Sequence, residues 1–201
     1  MSCRRNLLAA VALAPCLALL AACDGQGGAR PPGGGGGDAP SQTQAHPWIG
    51  KTLFVLTNLH PDTSKKLLYS INYQQTGLIP ICTQVQIVAL DSEHLRFVAH
   101  GIEYRYAFRN EFMTEGVQTH LARYFGESCD AGSSLGAADR EGIAAGRVAA
   151  GMTKNGVIKA IGYPPPHATP DLASPQWRYW KNRFDTFIVH FEGDTVTSIE
   201  N

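Results

Sequence analysis

The sequence has little charge and no apolar run long enough to cross a membrane. Charged residues make up 17% of the 201 residues, and the formal net charge is zero. Nucleic-acid-binding proteins normally carry a clustered basic face, so this composition excludes that class and we expect no nucleic-acid partner. The longest apolar run, Leu7 to Leu20, holds 14 residues, whereas a transmembrane helix needs about 20.

The N-terminus nevertheless carries an informative pattern. Arg4 and Arg5 precede the apolar run, and Leu20-Ala21-Ala22-Cys23 ends it. A basic start, a short apolar stretch and small residues are typical of a secretory signal with its cleavage site. The cysteine at the cut resembles the lipobox of bacterial lipoproteins. That resemblance implies a diacylglycerol on Cys23 and removal of residues 1–22; an uncleaved inner-membrane anchor is the alternative.

Residues 23–45 predict a disordered Gly/Pro-rich tether. They contain Pro31-Pro32 and the run Gly33 to Gly37, and large apolar side chains are missing. A flexible chain of this length spans roughly 25 Å, so the folded part would stay close to the membrane without entering it. Asp24 resembles the inner-membrane retention signal of enteric bacteria. We expect a lipid anchor in the cell envelope facing the periplasm, with the outer membrane favoured and the inner membrane open.

Cysteine is scarce in the remainder of the chain. Cys3 and Cys16 leave with the signal and Cys23 is lipidated, so Cys82 and Cys129 are the thiols that remain. This count excludes a CxxC redox centre and a zinc site. An oxidising periplasm permits one disulfide, but sequence spacing does not show that the two residues meet, and two separate buried thiols are the alternative.

Residues 46–110 predict a small antiparallel β domain. Alternating apolar and polar residues separated by turn signals indicate an antiparallel meander. The expected strands lie in 51–57, 67–73, 84–90, 94–100 and 103–109. Several short strands in so few residues suit an SH3-like barrel, because closure removes exposed edges. A meander packed on the following helices is the alternative.

The period then lengthens to that of helices. Residues 111–137 predict a helix with apolar positions from Met113 to Phe125, followed by a connecting loop. Residues 138–201 predict two helices and three strands. Thr153 is a good N-cap for the second of these helices. The overall fold class is therefore α+β, with an α-α-β-β-β unit at its C-terminal end.

Catalytic signals are missing from the sequence. The seven histidines form no HExxH pair or other close ligand spacing. We find neither a GxSxG elbow nor a cysteine–histidine signature. We therefore expect no enzyme activity, no catalytic residues, no cofactor and no metal.

Two segments carry the candidate partner-binding residues. The first, Trp177-Arg178-Tyr179-Trp180, is the densest aromatic cluster. The second is the proline-rich loop from Pro164 to Pro170, which follows Tyr163 and contains His167. Exposed Trp, Tyr and Arg are enriched at binding hot spots. Alternation sends Trp177 and Tyr179 to one face of the strand and Arg178 and Trp180 to the other. Packing of Trp180 against the β domain or against the proline-rich loop is the alternative for the first segment, and a rigid connector is the alternative for the loop.

The C-terminal third resembles a known family. Gly151-Met152-Thr153, Ile161-Gly162-Tyr163-Pro164, Trp177-Arg178-Tyr179 and Val189-His190-Phe191 occur in the order found in the SmpA/OmlA family of outer-membrane lipoproteins. The resemblance covers roughly residues 138–200. It implies an α-α-β-β-β domain and a partner among outer-membrane-assembly proteins. In that family the domain starts soon after the lipidated cysteine, whereas here about 115 residues intervene.

Together these features predict a non-enzymatic, lipid-anchored envelope lipoprotein. It would act as a protein-interaction or scaffold module in outer-membrane assembly or envelope integrity. Its expected partners are the membrane, through the anchor, and envelope or outer-membrane-assembly proteins. The alternative is a periplasmic binding lipoprotein that recognises peptidoglycan or a small envelope ligand.

Overall fold

A computed structural model of the chain describes residues 46–201. The predicted signal segment, the lipidation site Cys23 and the tether lie outside the described residues. Within residues 46–201 the chain is mixed α+β with strands predominating, as the sequence predicts at this level. None of the helices in this part of the chain has both the length and the apolar character needed to cross a membrane.

The first sheet has six strands in the order β2-β5-β4-β3-β1-β6. Their bounds are β1 Thr52–Val55, β2 Leu67–Tyr69, β3 Gln84–Leu90, β4 His94–Ala99, β5 Ile102–Ala107 and β6 Phe125–Gly126. Strands β3, β4 and β5 form an antiparallel meander, and β1 pairs with β3 in the same sense. Strand β2 runs parallel to β5.

The predicted alternation decides which side chains of this sheet are buried. Val85 and Ile87 in β3 and Leu95 and Phe97 in β4 are each at most 1% exposed. Glutamine and arginine side chains between them face solvent. Because successive side chains of a strand point to opposite faces, one face of the sheet is a continuous apolar layer. Tyr106 continues that layer in β5.

Short helices cover and follow this sheet. Their bounds are a 3-10 turn at Asn110–Phe112, α1 Val117–Ala122, α2 Ala137–Ala145 and α3 Lys154–Ile161. The helix predicted to run to Phe125 ends at Ala122, so its predicted length was wrong. Phe125 pairs with Val55 as part of β6 and is buried against the first sheet. Its apolar side chain fits the helical period but belongs to a strand.

Helix α3 begins and ends where the sequence predicts. The Thr153 hydroxyl accepts a hydrogen bond from Gly156 N at 3.0 Å, as an N-cap should. Asp139 of α2 accepts from both Thr153 N, at 2.7 Å, and Thr153 Oγ1, at 3.1 Å, which fixes α2 against the start of α3. Gly162, with a φ of 78°, ends the helix before the proline run.

The second sheet is the antiparallel order β7-β8-β9. Its strands are β7 Gln176–Trp180, β8 Thr186–Glu192 and β9 Thr195–Glu200. Their inner face packs with α2 and α3 around a second apolar cluster. That cluster is built from Ile143, Met152, Val157, Ala160, Ile161, Trp177, Tyr179, Val189, Phe191 and Val196. The α-α-β-β-β order of elements in this part of the chain is the predicted one.

Two buried asparagines join the two clusters. Asn58 Nδ2 donates to Ile143 O at 2.7 Å and to Ala160 O at 3.1 Å, while its Oδ1 accepts from Ile81 N at 2.7 Å. Asn72 Nδ2 donates to Ile161 O and Tyr163 O, both at 2.8 Å. These amides donate to carbonyls in the last turns of α2 and α3 and at Tyr163, just beyond α3. The described residues accordingly belong to one compact unit.

Candidate functional site

The four predicted binding residues of β7 divide between core and surface. Trp177 and Tyr179 are 0% exposed and belong to the second apolar cluster. Their prediction as contact residues was wrong, because a partner cannot reach them in this fold. Arg178 is exposed and Trp180 is half-buried on the opposite face. Because successive side chains of the strand point to opposite faces, the two pairs are separated as expected. Arg178 and Trp180 are the pair that remains accessible at the surface.

Tyr163 and His167 lie in different surroundings although both belong to the proline-rich segment. The Tyr163 ring packs edge-on against Tyr124, with centroids 5.9 Å apart, and lies 5.2 Å from the Arg123 guanidinium carbon. It is half-buried against the first apolar cluster. His167 is exposed and meets Trp180. The structure therefore brings His167, and not Tyr163, to the surface residues of β7.

His167 lies between two other rings, and we call these three residues the aromatic stack. Its ring centroid is 4.9 Å from that of Phe112 and 5.2 Å from that of Trp180. Thr169 Oγ1 accepts a hydrogen bond from Arg178 N at 3.1 Å, which pins the loop to the edge of β7. Three separate elements, the 3-10 turn, the loop and β7, thus contribute one ring each.

A cleft of about 400 Å³ opens beside the stack, and we call it the Trp180 cleft. Besides the three rings, its walls are Ile71, Tyr73, Arg109, Glu111 and Arg183. The charged lining residues are thus two arginines and one glutamate. The cleft combines aromatic rings with a net positive charge.

Arg109 is held in place by its neighbours. Its guanidinium carbon lies 4.7 Å from the ring centroid of Tyr69, a cation–π distance. Its backbone N–H donates to Ser70 Oγ at 2.8 Å. Tyr73 packs edge-on against the same Tyr69 ring, with centroids 5.4 Å apart. One wall of the cleft is therefore ordered by contacts within the protein before any partner arrives.

Partial burial lowers the pKa of His167 below its usual value, so this imidazole is neutral near pH 7 and the arginines carry the positive charge of the cleft. Among the described residues, no carboxylate forms an ion pair with His167. The cleft therefore presents flat rings and guanidinium donors.

Cys82 and Cys129 form a disulfide, with their Cα atoms 5.5 Å apart. It joins the segment before β3 to the loop that follows β6. Of the two alternatives open from the sequence, the structure has the bridge. Within residues 46–201, no group of three or more His, Cys, Asp or Glu side chains is placed to hold a metal ion.

Sequence reasoning missed Phe112 and Arg109 as members of the site. Phe112 fell within the region expected to be helix and loop, and Arg109 was placed on a strand. The available signal was an apolar ring among polar residues in Arg109-Asn110-Glu111-Phe112, which leaves Phe112 40% exposed. The chain matches no protein-family model, no curated protein and no solved structure.

Proposed function

We propose that this chain is a lipid-anchored lipoprotein of the bacterial cell envelope whose Trp180 cleft binds an envelope protein without catalysing a reaction. The aromatic stack is the observation that carries this proposal. Trp, Tyr and Arg dominate the binding energy of protein interfaces, and all three line the cleft. Phe112, at 40% exposure, presents apolar area that a partner would remove from water.

The order already present at the cleft supports a binding role. Fixing a side chain on association costs about 0.5–1.5 kcal/mol. The His167 ring already packs against Trp180 at an interplanar angle of 40°, and Arg109 is already held over Tyr69, so less of this cost falls on complex formation. The net positive charge and the aromatic rings of the cleft favour a partner segment that carries carboxylates next to an apolar side chain.

The envelope location rests on the N-terminal sequence and gains support from the disulfide. Disulfides persist in the periplasm and are rare in the cytosol, and Cys82 and Cys129 are joined. We infer lipidation at Cys23 after removal of residues 1–22. The outer membrane is favoured, and Asp24 keeps the inner membrane open.

We also infer that residues 138–201 form an SmpA/OmlA-like domain. The order α2, α3, β7, β8, β9 and the antiparallel pairing of its strands support this inference. For residues 46–110 we favour a meander over a closed SH3-like barrel, because β2 and β6 stand at opposite ends of the strand order. An outer-membrane-assembly partner is the corresponding proposal for function.

Photocrosslinking in intact cells tests the proposed function. A photoreactive residue placed at His167 is expected to capture an envelope protein. The same residue placed at Thr197, an exposed position of β9, is the control and should give no such adduct. Arg109→Gln should reduce the His167 adduct, since it removes one cation of the cleft. Adducts of equal yield from both positions, or adducts with peptidoglycan alone, would overturn the proposal.

A further inference from the structure

A second concave site lies between the loops that flank β2 and the second sheet, and we call it the junction crevice. It has a volume of about 380 Å³ and shares no residue with the Trp180 cleft. Its walls come from those two loops, the ends of α2 and α3, the residue after β7, and the strands β8 and β9. The residues used below are His60, Arg147, Val148, Ile161, Lys181 and Phe187.

The charged side chains that line the crevice are both cations. Arg147 and Lys181 line it, and no Asp or Glu side chain does. Among the described residues, neither cation forms an ion pair with a carboxylate. Lys181 Nζ donates to the neutral Asn201 Oδ1 at 3.0 Å. The two charges therefore remain available for an anion.

The rest of the crevice is apolar or neutral. Val148, Ile161 and Phe187 supply hydrocarbon walls. His60 is 7% exposed, and its Nε2 bonds to Ala160 O at 3.2 Å. Burial lowers the pKa of His60, so this wall is uncharged near neutral pH. A carboxylate or phosphate without an apolar part would leave these walls unused.

Gly146 makes the mouth of the crevice possible. It ends α2 with a φ of 62°, in the left-handed region that glycine adopts without cost. A Cβ atom at this position would lie 2.8 Å from Leu78 Cδ1 and 3.2 Å from His60 Cε1. The turn at Gly146 therefore lets the chain pass close to His60 and delivers Arg147 and Val148 to the same site.

We propose that the junction crevice binds a small amphipathic anion. Arg147 and Lys181 hold its carboxylate or phosphate head, and Val148, Ile161 and Phe187 enclose a short apolar body. The volume lies at the lower end of the range of about 300–1,000 Å³ that is typical of small-molecule sites. The ligand is thus a short chain or a single ring. This site does not depend on the proposed function of the Trp180 cleft.

Photolabelling of the purified full-length chain with a diazirine analogue of hexanoate tests the proposal. Adducts mapped by mass spectrometry are expected on the peptides that contain Val148 and Phe187. Hexanoate should compete and hexan-1-ol should not, because only the former has a head group for the two cations. Hexyl phosphate provides a second arm: stronger competition than hexanoate assigns a phosphate head, and weaker competition assigns a carboxylate.

The double variant Arg147→Gln, Lys181→Gln should lower the labelling roughly tenfold, as expected for the loss of two charge-assisted contacts. Both side chains are exposed, so the variant should fold, and unchanged thermal unfolding checks this. Arg105→Gln removes an exposed cation of β5 that lies outside both sites and is the matched control, with labelling unchanged. Equal competition by hexan-1-ol, or equal labelling of the double variant, would overturn the proposal.

Discussion

Replacement of Asn58 by alanine tests how the two apolar clusters are joined. The Asn58 side chain makes three hydrogen bonds to backbone groups, Ile143 O at 2.7 Å, Ala160 O at 3.1 Å and Ile81 N at 2.7 Å. The residue is 1% exposed. Alanine removes all three hydrogen bonds at once. Ile143 O keeps its bond from Gly146 N at 3.1 Å, and Ala160 O keeps its bond to His60 Nε2 at 3.2 Å. Ile81 N is therefore the group left without a partner.

A buried backbone group left without a partner costs about 1–3 kcal/mol. One such group, together with two lost hydrogen bonds of about 0.5–1.5 kcal/mol each, gives an expected fall of about 2–6 kcal/mol in the free energy of unfolding. Single domains have about 5–15 kcal/mol in total. The variant should therefore lose a large part of its stability.

Asn58→Asp separates hydrogen bonding from packing because it keeps the shape of the side chain. A carboxylate cannot donate to Ile143 O or Ala160 O, and it places negative charge against both carbonyls. We expect it to destabilise at least as much as alanine. Asn155→Ala, at an exposed position of α3, is the control and should change stability by less than about 0.5 kcal/mol.

Urea unfolding followed by tryptophan fluorescence measures these changes. Trp48 packs on the first apolar cluster and Trp177 belongs to the second, so each cluster has its own reporter. Wild type is expected to unfold in one transition. An Asn58→Asp variant as stable as wild type would refute the role of the amide and leave packing as the explanation.

Three further predictions concern buried groups. Burial and the nearby Arg123 lower the pKa of His120 to about 4 from 6.5, so protonation favours the unfolded chain. The free energy of unfolding should fall by up to about 3 kcal/mol as the pH drops from 6.5 to 4, and an NMR titration of His120 near 6.5 would contradict this. Reduction of the Cys82–Cys129 disulfide, with a sequence separation of 47, should lower the free energy of chemical unfolding by about 4 kcal/mol. Equal denaturation midpoints with and without reductant would exclude this stabilisation. Gly156→Ala should lower the melting temperature, because its Cβ would overlap the Asp139 carboxylate; a rise would show that helix propensity prevails.

Elements with a strong local signal could be predicted from the sequence. Strands β3 and β4 alternate apolar and polar residues, and the same residues are buried and exposed in the structure. Helix α3 has Thr153 before it and Gly162 after it, and both act as caps. Each of these signals depends on neighbours a few residues away, which is why one sequence suffices to read them.

Elements that depend on distant partners could not be predicted. Phe125 continues the apolar period of α1, yet it pairs with Val55 in β6. The pairing supplies hydrogen bonds to the edge of β1. The residues near Phe125 in the sequence carry no signal that identifies Val55 as its partner. A strand was expected within residues 67–73, and Leu67–Tyr69 forms one, but its parallel pairing with β5 was not predicted. Tertiary pairing outweighs local periodicity at Phe125.

The residues of the candidate site also divide into those that could be predicted from the sequence and those that could not. Trp180 and His167 stood out because aromatic residues were dense in β7 and prolines stiffened the loop. Alternation separated Trp180 from Trp177, but it could not show which of the two faces the helices would cover. Phe112 contacts His167 from a 3-10 turn whose position depends on the end of β5.

The geometry of the Trp180 cleft depends on the junction between the clusters. Arg109 and Phe112 reach the cleft from the end of the first sheet, whereas His167 and Trp180 belong to the second half of the chain. The carbonyl of Trp180 accepts a hydrogen bond from Gln74 N at 2.8 Å, two residues after Asn72. The segment that carries the buried amides therefore also fixes the last residue of β7. Loosening that segment would separate the two walls of the cleft before it exposed either core, so partner binding should fail under milder conditions than folding does.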